Sequence, residues 1–104
     1  NNLAIFYSKI QDGPQQLLHE NGQKQAEINY KDGKKEGLGE WWYENGQKQV
    51  EINHKDDKKE GLGEWWYENG QIQEESNYIG DELEGLVTSW HENGQKELEG
   101  RFKA

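Results

Sequence analysis

From Gln47 to His54 polar and apolar side chains alternate, and Leu62 to Tyr67 is a short aromatic-rich run. Both patterns belong to strands, since alternate side chains of a strand point to opposite faces. Asn-Gly separates such runs at Asn21-Gly22, Asn45-Gly46, Asn69-Gly70 and Asn93-Gly94. This dipeptide readily takes positive φ at both central positions, which predicts two-residue type I′ hairpin turns. A second set of turn residues stands at Asp32-Gly33, Asp56-Asp57 and Gly80-Asp81, where a longer loop is expected. No apolar series keeps a 3.6-residue period and Gly recurs often, so no helix is expected. The expected fold is all-β: an elongated, single-layer antiparallel β-meander of tandem 24-residue hairpin repeats. Each repeat should advance the sheet by roughly 10 Å, two strand spacings.

The repeat itself is unmistakable. Glu-Asn-Gly-Gln begins at Glu20, Glu44, Glu68 and Glu92, 24 residues apart each time. The segment Lys34 to Tyr43 returns unchanged at Lys58 to Tyr67 and altered at Glu82 to His91. A single repeat domain over 1–104 is expected, with full repeats at 20–43, 44–67 and 68–91. Residues 1–19 hold a degenerate N-terminal half repeat or cap, and 92–104 a C-terminal half repeat. Asp12 to His19 falls in register with Glu36 to Tyr43, and Pro14 cannot donate to a ladder, so this stretch should be an outer strand. Repeat three should be the least regular, because Val87 replaces the second Gly of Gly-x-Gly.

With two-residue Asn-Gly turns, Glu44 faces Gln47, Tyr43 faces Lys48, Trp41 faces Val50 and Gly39 faces Ile52. One face then collects Gly37, Gly39, Trp41, Tyr43, Val50, Ile52 and His54, and the other Leu38, Glu40, Trp42, Gln49, Glu51 and Asn53. The first should be the packed aromatic face, with Tyr30, Trp41, Tyr43, Trp65, Tyr67 and Tyr78, its Gly residues leaving room for neighbouring rings. It decays in repeat three at Glu74, Ser76, Ser89 and His91 and recovers at Leu98 and Phe102. The second is polar, yet carries a column of Trp42, Trp66 and Trp90 beside a column of Leu38, Leu62 and Leu86. Rows of acid lie between them: Glu40, Glu64, Glu27, Glu51 and Glu75. One account of the Trp column is apolar cover for a sheet without a second layer. The other is a contact stripe, because aromatics concentrate at binding sites. Trp42, Trp66, Trp90, Leu38, Leu62, Leu86, Glu40 and Glu64 are the candidate partner-binding residues.

Composition alone points elsewhere. Leu, Ile, Val and Phe number only 18 of 104 residues at a net charge of -9, a balance typical of disordered chains. Five Trp and five Tyr at repeating positions overturn that reading. The acidity argues against nucleic acid, whose binders need a basic face, and gives no support to membrane or glycan contact. There is no Cys, which removes disulfides and thiolate chemistry. No stretch approaches the ~20 apolar residues of a membrane-spanning helix. The chain does not begin with Met, which leaves a removed leader or a fragment as readings. Cytoplasmic and exported locations both stay open.

Candidate chemistry is sparse. Ser89 and His91 share one strand face as a nucleophile and base would. Their equivalents are Trp65 and Tyr67, so they read as degenerate, water-exposed positions without a third triad member. Asp56-Asp57 and Asp81-Glu82-Leu83-Glu84 lack the ligand spacing of a calcium loop and read as solvated turns. His19, His54 and His91 share no metal-ligand spacing, and His54 occupies the position of Tyr30 and Tyr78. No metal, no cofactor and no catalysis are expected.

The motif Tyr-Glu-Asn-Gly-Gln-Lys with Glu-Gly-Leu-Gly-Glu-Trp-Trp resembles the bacterial variant of the MORN repeat, clearly over 20–104 and weakly over 12–19. Arrays of this kind often carry the label of YwqK-family antitoxins. The resemblance implies a curved single-layer sheet that presents one face to a partner and a tendency to self-associate. Two functions follow as expectations. One is a non-catalytic protein-binding module, antitoxin-like toward a toxin or effector, whose acidity suits a basic partner. The other is a structural or cell-surface scaffold that self-associates or binds glycan or membrane components.

Overall fold

A computed structural model describes residues 11–103. Its strands are β1 (Gly13–Leu18), β2 (Lys24–Lys31), β3 (Lys34–Trp42), β4 (Lys48–Lys55), β5 (Lys58–Trp66), β6 (Ile72–Ile79), β7 (Glu82–Leu83), β8 (Gly85–Trp90) and β9 (Lys96–Phe102). All pair antiparallel in one sheet of order β1-β2-β3-β4-β5-β6-β8-β9, with the short β7 also on β6. The expected all-β meander is present. Its extents are 51 × 37 × 19 Å, and its radius of gyration of 15.9 Å exceeds the roughly 13 Å of a compact 100-residue domain. The sheet is therefore elongated, and among the described residues no second layer covers either face.

The two sets of turns exchange the roles that the sequence suggests. At Asn45-Gly46 the Tyr43 N–H donates to Gln47 O at 2.8 Å, and the Gly46 N–H donates to Tyr43 O at 3.0 Å. The loop is thus three residues, Glu44-Asn45-Gly46, with positive φ at Gly46 (+87°) and not at Asn45. The Asn45 side chain explains this choice. Its Oδ1 accepts from Gln47 N at 2.9 Å, and its Nδ2 donates to Glu68 O of the next repeat at 3.0 Å. Asn21 and Asn69 do the same. The two-residue type I′ turns lie instead at Asp32-Gly33 (φ +53° and +79°), Asp56-Asp57 (+51° and +70°) and Gly80-Asp81 (+55° and +75°). Non-glycine residues tolerate this strained region because they are tied. The Asp57 carboxylate accepts from Lys35 N at 2.7 Å, and that of Asp81 from Lys59 N at 2.7 Å.

A three-residue loop alone would shift the pairing and turn every side chain of the returning strand to the other face. It does not, because a bulge follows. Trp42 pairs with Lys48, but Trp41 pairs with Val50, which leaves Gln49 as the extra residue. The two displacements cancel. Gly39–Ile52 and Trp41–Val50 are opposite one another as expected. Three expectations are corrected: Gln47 lies with Tyr43, not with Glu44; Lys48 lies with Trp42, not with Tyr43; and Gln49 leaves the Trp42 face at the bulge. The same bulge recurs at Leu17/Leu18, Trp65/Trp66 and Ser89/Trp90.

Buried residues concentrate on the Trp41 face. Ala26 (1% exposed), Ile52 (3%), His54 and Ser76 are buried there, with Gly39 and Gly63 beneath the rings. A fully buried Ile is worth about 1.5–3 kcal/mol, and the described sheet has few such side chains. Lateral hydrogen bonds between repeats carry a correspondingly larger share. Repeat three is the irregular one: its strand breaks at Glu84 between β7 and β8. The apolar recovery at Leu98 and Phe102 does not become core, because both stay exposed (66% and 46%) on β9. Pro14 sits on β1, the outermost strand of the described sheet on that side.

Candidate functional site

The Trp42 face is banded across the strands. Nearest the type I′ turns stand directly opposed lysines, Lys31–Lys34 and Lys55–Lys58. Next come Leu38–Asn53 and Leu62–Asn77. The third band is acid against acid on five successive strands: Glu27–Glu40, Glu40–Glu51, Glu51–Glu64 and Glu64–Glu75. The fourth alternates Trp42–Lys48, Trp66–Ile72 and Trp90–Lys96. The candidate residues Trp42, Trp66, Trp90, Leu38, Leu62, Leu86, Glu40 and Glu64 therefore share one side of the sheet. Leu62 and Leu86 are exposed, and the three Trp are half-buried.

Each Trp of the column is held from the preceding repeat. His19 Nε2 donates to Trp42 O at 2.8 Å, the Tyr43 hydroxyl to Trp66 O at 2.7 Å, and the Tyr67 hydroxyl to Trp90 O at 2.7 Å. Tyr43 and Tyr67 thus act as ties between repeats. Burial, then the Glu68 charge, holds the Tyr43 hydroxyl above its usual range, so it stays a donor.

Like charges directly opposite one another destabilise a sheet, and lysines relieve the acid band in part. Lys48 Nζ lies 2.7 Å from Glu40 and 3.1 Å from Glu51. The hydrogen bond that Lys48 donates to Glu40, against burial and with help from Glu51, raises the Lys48 pKa. Lys24 Nζ is 3.4 Å from Glu27 and 5.1 Å from the Trp42 ring centre, a cation–π distance. The Glu27 carboxyl is lowered by the Gln16 hydrogen bond, then by Lys24, against burial. Glu64 differs: burial, Glu75 and Glu51 raise its pKa, and only Lys48 opposes them. Lys24, Lys48 and Lys96 escaped the sequence reading because the Asn-Gly turn was counted one residue short. Their 24-residue recurrence was the signal that could have placed them.

On the other face Trp41 and Trp65 fold back over Gly39 and Gly63. Trp41 meets His54 edge-on with centroids 6.4 Å apart, and Trp65 meets Tyr78 at 6.3 Å. Tyr30 pairs with Gly13 and Lys35 on the same side. A hollow of about 300 Å³ lies between the two Trp, over Val50, Ile52 and His54, with Lys35 and Lys59 at its rim. Burial, then the Lys35 charge, depresses the His54 pKa, so its imidazole is neutral at pH 7. Its Nδ1 is buried with no hydrogen-bond partner among the described residues.

Ser89 and His91 do not form a nucleophile and base. Ser89 Oγ donates to Glu97 Oε1 at 3.4 Å, and His91 Nδ1 lies 3.3 Å from Glu97 Oε2, so both turn to one carboxylate. Among the described residues no three His, Asp or Glu side chains are gathered as a metal ion requires. No helix among them is long and apolar enough to cross a membrane.

The sequence profile of the family described as MORN repeat variant matches residues 11–32, 35–56, 59–79 and 83–104, most of the chain. No curated protein and no solved structure matches significantly.

Proposed function

We propose, from the premise that this chain belongs to the MORN repeat variant family, that it is a non-catalytic protein-binding module whose Trp42 face receives a basic, extended partner. Repeats of this family are in general protein- and membrane-binding modules and non-enzymatic. The observation that carries the reading is the acid band itself. Five aligned glutamates on adjacent strands cost stability, and a cationic partner offsets that cost on binding. The Trp and Leu columns on either side supply apolar contact to an extended segment. An antitoxin-like role is the specific form proposed: the sheet masks a positively charged surface of a toxin or effector. The net charge of -9 favours fast, salt-sensitive capture of such a surface.

The test is a quantitative pull-down from the source organism with the wild type and a Trp42→Ala, Trp66→Ala, Trp90→Ala variant verified as folded by circular dichroism. One protein captured stoichiometrically by wild type, lost in the variant and released by salt is the expected result. Equal capture by both overturns the reading. A second reading, self-assembly as a scaffold, is favoured by the exposed Leu17 and Leu18 on β1 and Leu98 and Phe102 on β9. It predicts a light-scattering mass that rises with concentration.

A further inference from the structure

The fourth band repeats Lys at every hairpin except one. Lys24, Lys48 and Lys96 occupy equivalent positions 24 or 48 residues apart, and each places Nζ on glutamate: Lys24 on Glu27 and Lys48 on Glu40 and Glu51 of the acid band, and Lys96 on Glu99 of β9. The missing member is Ile72, which pairs with Trp66 as Lys48 pairs with Trp42. Moving Lys48 forward by one repeat would set its ammonium on Glu64 and Glu75. Moving Lys24 forward by two would set it on Glu75 and over the Trp90 ring. At Ile72 neither happens. Glu64 and Glu75 stand opposite each other with no basic side chain within ion-pair distance among the described residues. Both are half-buried, as are Ile72, Trp66 and Trp90.

Such a place has a shape and a charge. Trp66 pairs with Ile72, and by the repeat Trp90 stands to position 72 as Trp42 does to Lys24, so two indoles and an aliphatic side chain are offered to the methylene stem of a long basic residue. The floor is a pair of directly opposed carboxylates that no ion pair relieves among the described residues, Lys48 acting on Glu64 only from beyond ion-pair distance. The two preceding repeats show what fills the same frame when the chain supplies it: an ammonium 2.7–3.4 Å from carboxylate oxygen. We propose that the position of Ile72, between Trp66 and Trp90, is a socket for one lysine or arginine side chain of a partner polypeptide, whose charged head is received by Glu64 and Glu75. This inference rests on the protein-binding reading above and assigns its anchor point. Charge complementarity selects the occupant, since an anionic or apolar side chain leaves the two carboxylates uncompensated.

The substitution Ile72→Lys tests it, because it installs the residue that three other hairpins already accommodate. The probe is an end-capped decapeptide of alternating Lys and Thr, with its Glu-Thr counterpart as control. Binding is read by Trp fluorescence and by the NMR titration of the Glu64 carboxyl. Wild type should bind the Lys peptide alone, and the peptide should lower the Glu64 pKa. Ile72→Lys should remain folded, show a lowered Glu64 pKa without peptide, and bind about tenfold more weakly. Ile72→Leu should bind as wild type does, which separates charge from folding defects. Equal affinity of Ile72→Lys and wild type, with signals from the Trp42 face, overturns the socket and leaves the protein-binding reading standing. No binding of the Lys peptide to any form overturns both.

Discussion

A methyl group added at Gly63 would bring its Cβ to 2.8 Å from the Trp65 ring and 3.0 Å from Ile52 Cδ1. Both neighbours must move, so Gly63→Ala should cost about 1–3 kcal/mol in urea unfolding. His54 supplies a second residue-scale effect. Its folded pKa lies below the 6.5 of the free group, so the unfolded chain takes up the proton first. The stability it contributes is complete above pH 6.5 and is lost as pH falls through the depressed folded value. The groups facing it, Lys35, Lys59 and Asp81, set that value together with burial. His54→Tyr, the residue found at positions 30 and 78, should remove this part of the pH dependence of urea unfolding. Glu64 acts in the opposite sense. Its folded pKa is raised, so its favourable contribution is complete below pH 4.5 and is lost as pH rises through the folded value. Glu64→Gln should therefore stabilise the protein at neutral pH, by about 0.2–1 kcal/mol. Neither shift was visible in the sequence, because each depends on which side chains the pairing sets together.

At the scale of elements, the hairpins are joined by side chains as much as by ladders. Asn45 shapes its own turn and donates to Glu68 O, and Tyr43 reaches Trp66 O. Net worth near 1 kcal/mol for each hydrogen bond gives about 1–2 kcal/mol lost in Asn45→Ala and about 1 in Tyr43→Phe. Equilibrium denaturation measures both, and Asn45→Ala should be the more damaging. The strands and their alternation were legible in Gln47–His54 and Leu62–Tyr67. The turn lengths were not. Asn-Gly suits a type I′ turn in isolation, but here the Asn side chain accepts from the backbone N–H two residues on, and this goes with a three-residue loop at all four sites. At Asp56-Asp57, where a longer loop is expected, two positive φ angles close a two-residue turn that the Asp57 carboxylate ties to Lys35 N.

Across the molecule, each described strand pairs only with its neighbours in the sheet, so stability is built from repeats and the interfaces between them. Among the described strands, β9 has one neighbour and exposes Leu98 and Phe102, whereas β4 and β5 lie between paired strands and include Ile52 and Gly63. Amide hydrogen exchange should accordingly be fastest in β9 and slowest in β4 and β5. Uniform exchange would show a cooperative unit that nearest-neighbour contacts do not explain. Charge also acts at this scale. Association with a basic partner should slow and weaken as salt is raised, because the acid band and the net charge of -9 act together.

The period of 24 residues, the strand alternation and the excess of acid are properties of the sequence by itself. They determined an all-β meander of hairpins with a Trp column and a Leu column on one side. Local pattern suffices there, since side-chain period and repeat length are encoded along the chain. What only the tertiary structure decided is which cations meet the acid band. That depends on a three-residue turn and a one-residue bulge that cancel in register but carry Lys48 to the side of Trp42. The turn keeps its form at Asn93, whose side chain accepts from Gln95 N and has no lateral partner among the described residues, so its shape is local. What the tertiary structure adds is the hydrogen bond to the next repeat and the meeting of each lysine with its carboxylates, which exist only once the strands stand side by side.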